Sequence, residues 1–329
     1  MKYHIRQGLA KFALLALALS SLYGCSVKEE LSSSSREIRL GVQNATRAIN
    51  SMADLVAVGD NLGVYGVLAT DASGSVSEGG WTAGNLVMDN VHTSGVDAST
   101  GTIYWPGSYF YPIETDRYVR FCAYHPYASG DNFSVETSTE GNAPKLHFKL
   151  TGQEDLMFAG PVVGNVSMHP DMLTFRHQLT QLSFCIVDAG GAFSGKTIDS
   201  ITFTDTNTSG EMDLNTGEVR GWSAPAEIAV PDMNHIPMTG TPDAPQAVGG
   251  EVMLQPGCSS FHIRVVTSLG TFKDVEIHPT SLVEGVPETT FAAGRSYLIT
   301  LTFHERNEIV MGSTVTPWQF AGTGAAEVK

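Results

Sequence analysis

Apolar residues recur at every second position along most of this chain, a period that fits strands with one face in a core and does not fit helices. Leu146, Phe148 and Leu150 alternate with His147, Lys149 and Thr151. The pattern returns at Leu182, Phe184 and Ile186, at Phe261, Ile263 and Val265, and at Tyr297, Ile299, Leu301 and Phe303. Turn-forming clusters punctuate it: Thr70-Asp71-Ala72-Ser73-Gly74, Ala128-Ser129-Gly130-Asp131-Asn132 and Asn215-Thr216-Gly217. Many short strands joined by such turns argue for sandwiches rather than βαβ units. The expected class is all-β.

The start of the chain is different. Lys2, Arg6 and Lys11 precede and flank an apolar run from Phe12 to Leu19, and Gly24 stands before Cys25. This is the layout of a secretory signal peptide, and the run is shorter than the roughly 20 residues a membrane-spanning helix needs. Leu22-Tyr23-Gly24-Cys25 resembles the lipobox of bacterial lipoproteins. That resemblance implies a signal peptide over residues 1–24, removed in the mature protein, and acylation at Cys25 with diacylglycerol and an amide-linked chain such as palmitate. Each buried methylene then contributes roughly 0.8 kcal/mol, and several chains hold firmly. Ser26-Val27-Lys28-Glu29-Glu30 is similar to the surface-export signal of Bacteroidetes lipoproteins, which implies an outer-membrane lipoprotein facing outward. Residues 25–36, rich in Ser, Glu and Lys, read as a tether.

The full chain has 19 Lys and Arg against 34 Asp and Glu. Loss of residues 1–24 removes three bases and no acid, moving the formal charge from −15 to about −18. So acidic a chain is not expected to bind nucleic acid, which needs basic patches. Beyond Cys25 there are Cys122, Cys185 and Cys258, an odd number at unrelated spacings that forms neither a disulfide framework nor a zinc pattern. Cys122 and Cys185 sit in strand-like runs and read as small buried hydrophobes, with one bridge left open.

About 305 residues remain after the leader, more than one ordinary β-domain holds, so two domains are expected. Met168-His169-Pro170-Asp171 is the clearest punctuation and places the boundary within about ten residues of 168. The expected units are an N-terminal β-sandwich over 37–168 and a C-terminal β-sandwich over 169–329, with Pro231–Val248 a loop inside the second.

No catalytic or metal site emerges, no cofactor is expected, and the chain reads as non-enzymatic. None of the ten histidines pairs with another at ligand spacing. Asp213-Leu214-Asn215-Thr216-Gly217 has part of a calcium loop but lacks the later bidentate acid, and reads as a hairpin. There is no Gly-x-Ser-x-Gly elbow, P-loop or dinucleotide fingerprint. Trp81, Tyr104, Trp105, Tyr109, Phe110 and Tyr111 lie close in sequence and serve either as core or as a sugar-stacking surface. Asp199-Ser200-Ile201 is similar to a short O-glycosylation signal of secreted Bacteroidetes proteins.

A set of segments in fixed order carries a broader resemblance: Asn44-Ala45-Thr46-Arg47-Ala48, Leu62-Gly63-Val64-Tyr65-Gly66-Val67, Tyr104-Trp105-Pro106, Val119-Arg120-Phe121-Cys122-Ala123-Tyr124-His125-Pro126, Asp155-Leu156-Met157-Phe158-Ala159, Leu173-Thr174-Phe175-Arg176-His177-Gln178-Leu179 and Phe291-Ala292-Ala293-Gly294-Arg295-Ser296-Tyr297-Leu298-Ile299-Thr300-Leu301. Together they resemble the fimbrillin family of Bacteroidales, the lipoprotein precursors of fimbriae and their accessory subunits. The resemblance implies two transthyretin-like β-sandwich domains in tandem and assembly by donor-strand exchange. In polymerising members an Arg-directed protease cuts near the mature start, the first strand leaves, and a carboxy-terminal strand of another subunit fills the groove by β-augmentation.

Ile38, Leu40 and Val42, alternating with Arg39, Gly41 and Gln43, form the candidate displaced first strand. Arg47 is the candidate cleavage site, its other reading being a solvated linker residue. Ile309, Met311 and Val315 are candidate donor-strand positions, although Pro317 follows and an ordinary last strand fits them equally. The implied partners are other fimbrial subunits, the outer membrane through the lipid anchor, and a host or bacterial surface receptor. After processing the subunit would reside in the fimbrium, in a stalk, accessory or tip position. The alternative function is a surface glycan-binding lipoprotein of similar architecture.

Overall fold

The computed structural model describes residues 36–44, 61–97, 99–137, 140–170, 172–280, 282–283, 286–305 and 308–317. Cys25 and Arg47 lie outside the described residues. Within them every element is a strand, and no helix is long and apolar enough to cross a membrane. The first part of the chain supplies β1 (Gly41–Asn44), β2 (Gly63–Ala69), β3 (Leu86–His92), the short β4 (Gly95–Val96) and β5 (Ile103–Tyr104), β6 (Tyr118–His125), β7 (Phe133–Glu136), β8 (Lys145–Lys149), β9 (Met157–Gly164) and β10 (Met172–His177). There follow β11 (Thr180–Asp188), β12 (Thr197–Asp213), β13 (Val219–Ala229), β14 (Ile236–Pro237), β15 (Gln246–Leu254), β16 (Phe261–Thr267), β17 (Gly270–Ile277), β18 (Leu282–Val283), β19 (Val286–Pro287), β20 (Arg295–Glu305) and β21 (Glu308–Pro317).

A six-stranded sheet in the order β1-β10-β9-β6-β2-β3 organises the first part. Its neighbours are antiparallel except β1, which runs parallel to β10. Both faces are covered, so the strand period sorts successive residues into two cores. Val64, Phe121 and Met157 enter one, with Leu173 and Phe175. Tyr65, Cys122 and Phe158 enter the other, which β8 and the far end of β12 close with Leu146, Phe148 and Met212. Two-sided burial explains why β6 is buried continuously from Phe121 to His125 instead of alternating.

The second sandwich sets β15-β11-β20-β21 against β12, β16 and β17. Phe184 and Ile186 from β11 and Ile299 and Leu301 from β20 meet Ile201, Phe203, Ile263 and Val265 across the layer. β12 serves both sandwiches. Its first half pairs with β16, through Ile201 opposite Val265, and its second half pairs with β8, through Met212 opposite Leu146. Arg120 adds a tie, donating from Nη2 to the Asn215 carbonyl at 2.8 Å and from Nη1 to that of Gly74 at 3.1 Å.

The punctuation at Met168-His169-Pro170 is not an interdomain linker. Asn165 and Met168 form an isolated bridge, and Asn165 Oδ1 accepts from the Ser167 and Met168 amides, so this segment turns β9 back onto β10. β10 therefore belongs to the six-stranded sheet, and sheet membership changes between His177 and Thr180, inside the window of about ten residues around 168 that the sequence allows. Asp213 Oδ1 accepts from the Asn215 and Thr216 amides, making the calcium-like segment the turn of the β12–β13 hairpin. Cys122, Cys185 and Cys258 are free thiols, the first two buried.

At that crossing His125 and His177 both meet Asp155. His177 Nδ1 lies 2.7 Å from Asp155 Oδ1, and His125 Nδ1 lies 2.8 Å from the Asp155 carbonyl oxygen. Burial holds the His125 imidazole below the usual 6.5, its bond to Asp155 opposing in part. A histidine depressed in the fold favours the native state fully above the unfolded value, and that contribution is lost as pH falls below it. Urea midpoints are thus expected to drop between about pH 7.5 and about pH 5.5, and His125→Gln is expected to flatten that drop.

Candidate functional site: the first strand and its groove

Residues 37–44 form an extended segment held from both sides. On one side Gly41, Val42, Gln43 and Asn44 stand opposite Met172, Leu173, Thr174 and Phe175 of β10. On the other the partner is the stretch 101–111. The Ile38 amide donates to the Tyr109 carbonyl at 2.8 Å, and the Val42 amide to that of Gly101 at 2.9 Å. The Ile103 amide returns a bond to the Leu40 carbonyl, and the Tyr111 amide one to Arg36, each at 2.9 Å. A segment bonded on both edges is a sheet interior in miniature, and its loss opens two rows of backbone groups at once.

Period two decides where its side chains go. Ile38, Leu40 and Val42 are 0%, 1% and 0% exposed, packed among Leu62, Val64, Tyr111 and Phe175. Arg39, between them, faces water and pairs only with Glu37 at 2.9 Å. Burying three such aliphatic side chains contributes roughly 1.5–3 kcal/mol each. Their sum is a large fraction of the ~5–15 kcal/mol net stability of an ordinary domain. Removing this strand would expose the first core at Ile38, Leu40 and Val42.

The aromatic run near residue 105 belongs to this groove. Tyr111 is fully buried, edge-on to Phe121 with ring centres 5.9 Å apart. Trp105 stands edge-on to Tyr109 and donates its indole N–H to the Ile38 carbonyl at 3.2 Å. Of the six aromatics, Tyr104 and Phe110 are the ones left exposed. Trp105→Phe keeps most of the apolar contact and removes that one bond, so it is expected to lower stability by about 0.5–1.5 kcal/mol. The same variant should release the first strand faster, read as hydrogen exchange at the Ile38 and Val42 amides.

Neither the pairing of residues 36–44 with 101–111 nor its parallel run along β10 is legible from local periodicity. Both partners lie far off in sequence, and the stretch 101–111 carries no alternation. Its aromatic density is the one signal that marked it.

The candidate donor residues stand elsewhere. Ile309, Met311 and Val315 lie on β21, opposite Phe303, Leu301 and Tyr297 of β20 in an antiparallel hairpin. Ile309 packs against the second core. β21 is the outermost strand of its four-stranded sheet, at the opposite end from β15. Candidate first strand and candidate donor thus occupy separate sheets.

Among the described residues the elements are strands, with a buried first segment bonded on both edges and β21 at the edge of its sheet. Residues 46–318 match the family described as Fimbrillin-like. The chain belongs to the fimbrillin-like family. Among curated protein sequences none is significantly similar. A crystallised fimbrial protein from Bacteroides vulgatus is similar at 15% identity and a TM-score of 0.61, covering 86% of this chain and 100% of that one. A candidate cell adhesion protein from Bacteroides uniformis is similar at 19% identity and a TM-score of 0.56, over 86% and 99% of the two chains. One from Bacteroides ovatus is similar at 15% identity and a TM-score of 0.53, over 86% and 96%. At such identities the likeness shows the fold.

Proposed function

We propose that this protein is the lipid-anchored precursor of a fimbrial subunit that assembles by donor-strand exchange and serves adhesion. The observation that supports the reading is the state of the first segment: Ile38, Leu40 and Val42 are buried, Arg39 is exposed, and the backbone is bonded on both edges a few residues before Arg47. In this reading Cys25 carries the acyl chains that hold the precursor on the outer membrane. A cut after Arg47 releases anchor and first strand together. The vacated groove, bounded by β10 and residues 101–111, then takes a strand of another subunit whose apolar residues also recur at every second position. β21, with Ile309, Met311 and Val315, is the donor candidate within this sequence, because an edge strand has one row of backbone groups to offer and its hairpin can open without unravelling the sheet.

Limited digestion with an Arg-specific protease tests this. The expected result is a new amino terminus at Ala48 together with multimers that survive SDS without heating. A digest that leaves the precursor monomeric after cleavage at Arg47 would overturn strand exchange.

A further inference from the structure

The wall that β10 gives the first-strand groove has a polar face as well as an apolar one. Successive side chains along a strand point to opposite faces of its sheet. Leu173 and Phe175 enter the first core, whereas Thr174 and the exposed Arg176 line a cavity on the other face. That cavity, about 440 Å³ in volume, lies between the sheet and the β12–β13 turn. Phe158 and Pro161 of β9 line it together with Thr174, Arg176, Gln178 and Thr216. The turn sits hard against the sheet, because Gly217, at φ +78°, approaches the Phe158 ring too closely to leave room for a Cβ.

Charge sets this cavity apart from the rest of the molecule. The sequence has 34 Asp and Glu against 19 Lys and Arg, yet no acid stands among the described residues that line it. Among those residues the Arg176 guanidinium also forms no hydrogen bond or ion pair. The Gln178 side-chain amide donates to the Arg176 carbonyl at 3.1 Å and leaves the guanidinium itself open. Such a planar fork of donors matches a carboxylate, which it can meet with two parallel bonds.

Register fixes where that carboxylate would come from. In the parallel β1–β10 pair Val42 stands beside Leu173 and Gln43 beside Thr174. A strand that continues this register two positions past Gln43 brings a side chain beside Arg176, on the face away from the core. In this sequence the position is Ala45, outside the described residues, and alanine carries no charge. An incoming strand of the same apolar pattern gains little in the core, since it fills the places its predecessor filled. The outward position can break the tie: a carboxylate there favours the newcomer, and an ammonium opposes it. We propose that Arg176 selects, among strands entering the groove, those with Asp or Glu in register with it. This rests on the strand-exchange reading and adds the chemistry of the partner strand's polar face.

Competition for the groove tests this. The full chain, cut after Arg47, is mixed with labelled peptides of residues 37–47, unchanged or as Ala45→Glu or Ala45→Lys, and displacement of the cut strand is followed by fluorescence anisotropy. At low salt the Ala45→Glu peptide is expected to bind about threefold tighter than the unchanged one, the scale of one cross-strand charge pair, and Ala45→Lys to bind more weakly. In about 1 M salt, where the screening length falls to ~3 Å, the three should converge. Arg176→Glu is expected to reverse the low-salt order, which a merely damaged groove does not do. Equal binding of all three peptides, or an order unchanged by Arg176→Glu, would overturn charge selection and leave strand exchange standing. Entry of none of them would overturn both. The uncut precursor gives a second measurement: Ala45→Glu should slow exchange of the Val42 amide relative to Ala45→Lys, and Arg176→Glu should invert that difference. A difference indifferent to Arg176 would equally overturn the assignment.

Discussion

Leu40→Asp is expected to destabilise the precursor by several kcal/mol, while Arg39→Ala, one position away, is expected to change it by less than about 0.5 kcal/mol. Leu40 is 1% exposed among the residues of the first core. Losing its side chain costs about 2–5 kcal/mol through transfer and cavity terms alone. An unpaired carboxylate in the same place adds a desolvation penalty of several kcal/mol, or forces the strand out of its groove. Arg39 projects into solvent and forms an exposed pair with Glu37, a type worth ~0–1 kcal/mol. Urea unfolding measures the contrast directly. A second readout separates displacement from global collapse: if the strand alone leaves, the Ile38 and Val42 amides should lose protection from exchange while those of β16 and β20 keep theirs. Equal effects at Leu40 and Arg39 would mean that residues 36–44 are not seated as a strand.

The second large effect is all-or-none. Arg47→Ala is expected to abolish protease-triggered multimer formation and to leave the folded precursor as stable as before. Arg47 follows β1 by three positions, so a cut there severs the first strand from the rest of the chain while sparing β2. Severed, the strand is retained only by its own contacts, and a competing strand can replace it residue by residue in the manner of β-augmentation. Uncut, the strand is tethered, and its effective concentration at the groove is millimolar or higher for a short linker, which no free donor in dilute solution matches. Cleavage thus changes the competition without changing a single contact. SDS gels of wild type and Arg47→Ala after matched digestion read this out, and Arg47→Lys with an enzyme that cuts after lysine should restore assembly. Multimers from the uncleaved variant would show that the first strand does not gate the groove.

Much of the fold can be read from the sequence, for a physical reason. Period two in Leu146-Phe148-Leu150 and Phe261-Ile263-Val265 reflects strands with one face inward, and these are β8 and β16. Two-sided burial is harder to see. β6, buried through Phe121-Cys122-Ala123-Tyr124-His125, has no polar alternate to announce which core each residue enters. The residue at which the chain changes sheets is not legible from punctuation alone, because Pro and Gly mark hairpins such as Asn165–Met168 and linkers alike. A strand shared between sandwiches, as β12 is, carries no local signature either, since its two halves differ only in their distant partners. For the candidate site, the alternation of Ile38, Leu40 and Val42 was legible, as a strand period always is. The second wall at 101–111 is not, because its backbone bonds to the first strand span about sixty residues or more and follow from tertiary packing alone.

Strand exchange turns on what becomes of residues 36–44 in the assembled form. Amino-terminal sequencing of the subunit recovered from surface polymers on cells measures this directly. The expected result is a chain beginning at Ala48, with Cys25 and the strand bearing Ile38, Leu40 and Val42 gone. A polymer whose subunits still begin at Cys25 and retain that strand would contradict it.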